Sequence, residues 1–234
     1  MRTDFDTTSP AALAQAEARA TFLTRTYTHL LGAVLAFAGL EALLLGSPVD
    51  DAMLQLALGG RFGWLLVVGG FMLVSVLAER WARDAVSPGM QYAGLLLYVL
   101  LEALLFLPLL HLAALRSDRD LIPSAAIITA IVFTGLTLVV FMTRMDFSFL
   151  RGVLDRSGFA ALALIVASLF LGLSLGVWFS WAMIAFAAGW ILYDTSKVLH
   201  HYRTDQHVAA ALALFASVAL LFWYVLRLLM SRRN

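Results

Sequence analysis

The stretch Ser157–Tyr193, SGFAALALIVASLFLGLSLGVWFSWAMIAFAAGWILY, contains no acidic or basic residue. As one helix it would be roughly 55 Å long at about 1.5 Å per residue. That is nearly twice the roughly 30 Å hydrocarbon core of a bilayer, which about 20 apolar residues cross. The stretch therefore reads as two membrane-spanning helices, 157–176 and 179–199, with the break near Gly176. Trp178 and Trp181 just after the break suit the interface between membrane and water. Splitting this run sets the number of spans for the whole chain and the side on which each later segment lies.

Working outward, apolar runs at 25–46, 62–81, 91–113, 121–143 and 208–230 bring the total to seven spans. Gly46-Ser47-Pro48 ends the first, and 47–61 reads as a loop. Ser87-Pro88-Gly89 is a turn signal, and Pro123 is tolerated in a first helical turn. The expected class is an all-α polytopic membrane protein: a tail over 1–21, a transmembrane domain over 22–230 and a short C-terminal tail over 231–234. Composition agrees. Of 234 residues, 62% are hydrophobic and 13% charged, whereas soluble domains sit near half and a quarter. The lack of cysteine excludes disulfides and thiolate chemistry. A net charge of +1 gives no basic footprint for nucleic acid. Residues 1–21 lack the apolar core and cleavage site of a signal peptide. Ten of the 16 Lys and Arg residues fall on the N-terminal side of the seven spans. That bias places the N-terminus in the cytoplasm and the C-terminus outside, with Arg232 and Arg233 as the opposing signal.

Charge inside a bilayer is costly and tends to face the bundle or water. Three carboxylates fall within spans. Glu41, near the end of the first span, reads as an interfacial or snorkelling group. Glu102 lies mid-span in LLLYVLLEALLFLPLL, with no basic residue within two turns. It is either a neutral group bonded across the bundle or a proton or cation site. Asp194, in WILYDTSKVLHH, has Lys197 one turn on and Arg80 as a partner from the second span. It is either half of a local ion pair with Lys197 or a gating, pH-sensing carboxylate. His200, His201, Asp205 and His207 read as an interfacial polar loop, since their spacing fits no metalloenzyme pattern. No nucleophile elbow or phosphate-binding loop occurs, and no base is expected beside Ser217, so neither an enzyme nor a resident cofactor is expected.

Four segments in order carry a resemblance. FLTRTYTHLLGAVLAF opens the first span, and Tyr98 with Glu102 forms a YxxxE pattern in the third. FMTRMDFSFLRGVL supplies Thr143, Arg144, Asp146, Phe147, Ser148 and Phe149 after the fourth, and ILYDTSKVLHH supplies Tyr193 and Asp194 in the sixth. Together they resemble the Bax inhibitor-1 family over about residues 22–230. The resemblance implies six helices around a central seventh. In calcium-leaking members it implies a pH-sensing pair of aspartates on helices 6 and 7, with a helix 2 arginine as alternative partner. Asp194 matches the first aspartate and Arg80 the arginine only approximately. Ser217 stands where the second aspartate is expected and Leu220 where an asparagine is. A carboxylate pair splits its titration because like charges are held close, and serine cannot supply that. The bacterial branch that modulates the membrane protease FtsH is more similar. It has serine at that position and a run like Thr195, Ser196, His200 and Thr204. The resemblance thus implies two roles: a regulator partnered by an FtsH-type protease in a bacterial inner membrane, whose polar tail a processive protease could grip, or a pH-sensitive leak passing calcium.

Overall fold

The computed structural model describes residues 16–84, 87–116 and 120–232, with the backbone alone described at 61 and 232. Expectations that rest on residues 1–15 and 233–234 lie outside the described residues. Eight α-helices follow in order: α1 (Ala16–Leu44), α2 (Pro48–Leu58), α3 (Arg61–Ala82), α4 (Pro88–Ala114), α5 (Leu121–Thr143), α6 (Arg151–Leu171), α7 (Val177–His200) and α8 (His207–Arg232). A single 3₁₀ turn, Ser148–Leu150, leads into α6. Seven of the helices, all but α2, are long and apolar enough to cross a membrane.

The decisive stretch breaks between Leu171 and Val177. Gly172 takes the left-handed conformation (φ 68°) and returns its N–H to Ser168 O, which closes α6. Gly176 is the N-cap of α7. Glycine suits the positive φ of such a C-cap because it has no Cβ to clash.

Three boundaries differ from the sequence reading. First, residues 16–21 of the expected tail belong to α1. Alanine-rich sequence with one early glutamate favours this extension. Second, α6 starts at Arg151 and carries Asp155 and Arg156 in its opening turns. Third, the expected loop 47–61 contains α2. Ser47 accepts hydrogen bonds from the Val49 and Asp50 N–H groups, Pro48 occupies the first helical position, and Asp50 and Asp51 lie in the first turn. These are the ordinary signals of a helix start. They were legible in Ser47-Pro48-Val49-Asp50, but the segment is too short to register as a span.

α8 is the most buried span and forms the centre of the bundle. It packs against α7, α1, α5 and α4 and touches α3, whereas α6 leans mainly on α7 and stands off from the centre. The outer helices show large exposed apolar side chains such as Leu35, Leu43, Leu73, Met142, Phe159 and Trp178. In water such a surface would be costly, whereas lipid is as apolar as leucine. An aromatic knot fixes α4 on α8. Phe106 stacks on Phe222 (5.7 Å, 4°) and meets Trp223 and Phe37 edge-on, and Tyr98 meets Phe215 edge-on. Tyr98, Glu102 and Phe106 repeat every four residues, so one buried stripe of α4 holds Glu102 between two anchored rings.

The α3–α4 pair packs closest at Gly94. A Cβ there would lie 2.5 Å from both Ala78 O and Ala82 N. Ala78 and Ala82 are buried opposite it. Small residues of this kind let two backbones approach in a membrane, where packing and not water drives association.

Candidate functional site

The site is built where α7 and α8 meet. Tyr193, Asp194, Thr195, Ser196, Val198 and Leu199 are all buried, and Leu192, Lys197 and His200 are half-buried, so the last turns of α7 are largely enclosed. Opposite them α8 presents Ala209, Ala210 and Ala211, whose small side chains allow close approach. That approach brings Ser217 to Asp194. The Ser217 hydroxyl donates to Asp194 Oδ2 at 2.6 Å, and the two residues are only 4% and 5% exposed. A buried carboxylate needs a donor, and here the donor is a neutral hydroxyl from the central helix.

Both residues line a cavity of about 960 Å³ bounded by α3, α4, α6, α7 and α8. Glu102 lines the same cavity, with Tyr98 one turn earlier at hydrogen-bonding range. Asp194, Ser217 and Glu102 are thus brought together on one space. Arg80 is not: it is exposed on α3 and does not line the cavity. Glu79 of the same helix and Arg83, its C-cap, do, joined to each other at 3.3 Å. The 3.6 Å pair Arg151–Asp155 of α6 completes this charged end. Lys197 also lines the cavity, but among the described residues no ion pair joins it to Asp194. Its Nζ instead lies 5.2 Å from the Tyr193 ring centroid and 4.9 Å from that of Tyr202. Cation–π contacts with two rings hold the ammonium where a carboxylate was expected.

The Thr143–Phe149 segment forms a clasp at this end of the bundle. Thr143 Oγ1 donates to Val139 O (2.8 Å), and Arg144 closes α5 in the left-handed conformation (φ 52°). Asp146 then gathers three donors: the Ser148 N–H (2.9 Å) and the Ser196 hydroxyl (3.2 Å) at Oδ1, and His201 Nε2 (2.9 Å) at Oδ2. Ser196 in turn accepts the Phe147 N–H at 2.8 Å. The α5–α6 connection is therefore tied to the residues just beyond Asp194 on α7. Sequence reasoning singled out Asp146, Phe147 and Ser148 by resemblance but did not join them to Ser196 and His201. That pairing crosses about fifty residues and carries no local signal.

Burial alone would push the Asp146 carboxyl up, but the bonds from Ser148 and His201 outweigh it and hold it below the ordinary aspartate value. A carboxyl held low in the folded state stabilises it above the unfolded value, and that stability is lost as pH falls through the folded value. Protection of the Phe147 and Ser148 amides, corrected for intrinsic exchange, should therefore stay flat from pH 8 to about pH 5 and fall only below about pH 4. A loss of protection near neutral pH would contradict this clasp.

The remaining polar residues of the sixth-to-seventh connection go separate ways. Asp205 pairs with Arg203 at 2.7 Å, and the His207 ring lies 5.0 Å from that of His29. A polar cluster that sequence reasoning missed sits at the opposite end. Asp50 of α2 is fully buried, and its Oδ2 accepts the Gly46 N–H at 2.8 Å and contacts His111 Nδ1 at 2.7 Å.

Residues 19–234 match the family model described as Inhibitor of apoptosis-promoting Bax1. An uncharacterized protein of Pseudomonas aeruginosa is 30% identical over 212 residues, covering 88% of this chain and 87% of its own. The Modulator of FtsH protease YccA of Escherichia coli is 29% identical over 208 residues, 88% of each chain. Bax inhibitor 1 of Schizosaccharomyces pombe is 25% identical over 234 residues, 98% of this chain and 84% of its own. With its central α8, the buried Asp194 and a match that runs along nearly the whole sequence, this chain belongs to the Bax inhibitor-1 family of integral membrane proteins.

Proposed function

We propose that this protein is a membrane-embedded regulator of an FtsH-type membrane protease, held in a bacterial inner membrane with its N-terminus in the cytoplasm. The observation that carries the reading is the Asp194–Ser217 hydrogen bond that joins α7 to the central α8. It supplies one buried carboxylate and one hydroxyl, a static arrangement that fixes α7 to α8. The likeness to YccA over 88% of both chains supports the same role. The role proposed is regulatory: Ser217 donates a hydrogen bond to the Asp194 carboxylate, a base that the sequence reading did not expect beside it, and among the described residues lining the cavity there is no histidine.

The pH-sensitive calcium leak ranks second. The 960 Å³ cavity with Asp194 and Glu102 on its wall favours it. Against it, a coupled titration needs two carboxylates held close, and the group 2.6 Å from Asp194 is the Ser217 hydroxyl, which does not ionise.

The deciding experiment is detergent-controlled co-purification with the FtsH-type protease of the host, using the full chain and a variant lacking residues 2–15, which keeps every described residue of α1. The full chain should capture the protease, and the shortened one should capture several-fold less. Absence of capture by the full chain defeats the regulatory reading. Proteoliposome calcium flux that depends on pH and is abolished by Asp194→Asn would favour the leak instead.

A further inference from the structure

A second cavity, of about 620 Å³, lies between α1 and α5, with Val218 and Phe222 of α8 as its floor. α1 and α5 each pack on α8 far more than on each other, so the cavity opens sideways toward lipid. Its mouth carries exposed small residues, Ala38 of α1 and Ala126 and Ala130 of α5. The wall is almost entirely hydrocarbon, with one ionisable carboxyl, that of Glu41.

Glu41 is 7% exposed, and neither of its carboxylate oxygens has a hydrogen-bond partner. The sequence reading of an interfacial, snorkelling group is corrected here: the side chain is turned inward. Thr129, 4% exposed, also lines the cavity with an unpartnered hydroxyl, and Tyr27 and Thr134 line it too, the Tyr27 hydroxyl facing Thr195. The ionisable neighbours do not satisfy Glu41. His111 is committed to Asp50, and Asp50 is itself a carboxylate with one oxygen unpartnered. Whether charged or neutral, Glu41 lacks a partner among the described residues, and a buried polar group left unpaired is destabilising. A ligand donor would remove that cost.

The surroundings select the class of donor. A calcium ion takes six to eight oxygens, and a magnesium ion keeps several waters. This cavity offers one carboxylate, the hydroxyls of Tyr27, Thr129 and Thr134 and otherwise hydrocarbon, which suits neither. A single ammonium head with an apolar chain matches both the lone carboxylate and the greasy wall, and the volume falls within the usual range for small-molecule sites of roughly 300–1,000 Å³. We propose that the α1–α5 cavity is a binding site for a long-chain alkylammonium, entering from the bilayer with its head on Glu41 and its chain along α1, α5 and α8. A turn of the Glu41 side chain presents the carboxylate to the head group. This site is separate from Asp194 and independent of the regulatory reading.

The test uses the full chain in phosphatidylcholine nanodiscs with a photoreactive dodecylammonium probe, followed by mapping of the labelled peptides. Labelling should fall on α1 and α5. Dodecylammonium should compete at least tenfold better than dodecanol at equal membrane concentration. Glu41→Gln should erase that preference while leaving residual labelling by either chain. Ala126→Trp, which closes the mouth and keeps the carboxyl, should remove labelling by both and covers the case in which the Glu41 variant does not fold. Equal competition by dodecanol in the unaltered protein, a preference that survives Glu41→Gln, or labelling undisturbed by Ala126→Trp would each overturn the proposal; the first would mean a plain lipid chain against a neutral Glu41.

Discussion

Ser217→Ala should lower the stability of the protein by about 1–3 kcal/mol, because it leaves a buried charged or polar group without its donor. Asp194 is 5% exposed, and Ser217 is the side chain that hydrogen-bonds to it. Lys197, the obvious substitute, is held between the Tyr193 and Tyr202 rings and pairs with neither oxygen. For a chain of this size, each kcal/mol corresponds to roughly 2–4 °C in melting temperature. A loss of about 2–12 °C is therefore expected in detergent or nanodiscs. Ser217→Thr keeps the hydroxyl and should recover most of the loss, provided its extra methyl is accommodated. The double variant Asp194→Leu, Ser217→Ala removes donor and acceptor together and should be less destabilised than Ser217→Ala alone. A change of under about 0.3 kcal/mol for Ser217→Ala would mean that the 2.6 Å bond contributes nothing to holding α7 on α8.

The second large effect is expected at Gly94. Its added Cβ meets two backbone atoms of α3, Ala78 O and Ala82 N, which cannot rotate aside as a side chain would. Trp81 Cβ follows at 3.0 Å. Gly94→Val should force α3 and α4 apart and cost about 3 kcal/mol, the upper end of the range for overpacked cores. Because α3 and α4 both line the Asp194 cavity, the variant should also widen that space. The control is Gly69→Ala on α3, where an added Cβ meets nothing within 4 Å. Alanine there should be neutral or stabilising by up to about 1 kcal/mol through helix propensity. Equal melting temperatures for the two variants would show that the close approach does not limit the bundle.

Span number and helical class were legible in the sequence because lipid imposes a one-dimensional rule. A helix must be apolar for about 20 residues to cross, and Ser157–Tyr193 can satisfy that rule only as two helices. The break itself was legible to within a few residues, since Gly172 and Gly176 are the positions that can end one helix and cap the next. Helix α2 was written in Ser47-Pro48 and the two aspartates but lay below the length at which apolar runs announce themselves. The four segments resembling the family pointed to Asp194, Glu102 and the Asp146 stretch, and two of those residues do share one cavity.

Partnership was not legible, because it depends on which faces of different helices meet. One helix position separates Arg80 from Glu79 and turns the side chain by about 100°. That rotation leaves Arg80 exposed while Glu79 and Arg83 line the cavity. Lys197 lies one turn from Asp194 in sequence, yet two aromatic rings, one of them beyond the end of α7, claim it. Asp146 finds His201 across 55 positions, and His111 finds Asp50 across 61. Glu41 read as a surface group because its helix ends nearby, but packing turned it inward. The sequence by itself determined how many helices cross and roughly where each crosses, since those follow from local composition against a fixed membrane thickness, while the ends of α1 and α6 ran past the apolar runs. Only the tertiary structure decided which charge meets which partner, because that depends on the rotation of each helix about its own axis, and a nearly uniform apolar surface leaves that rotation unwritten.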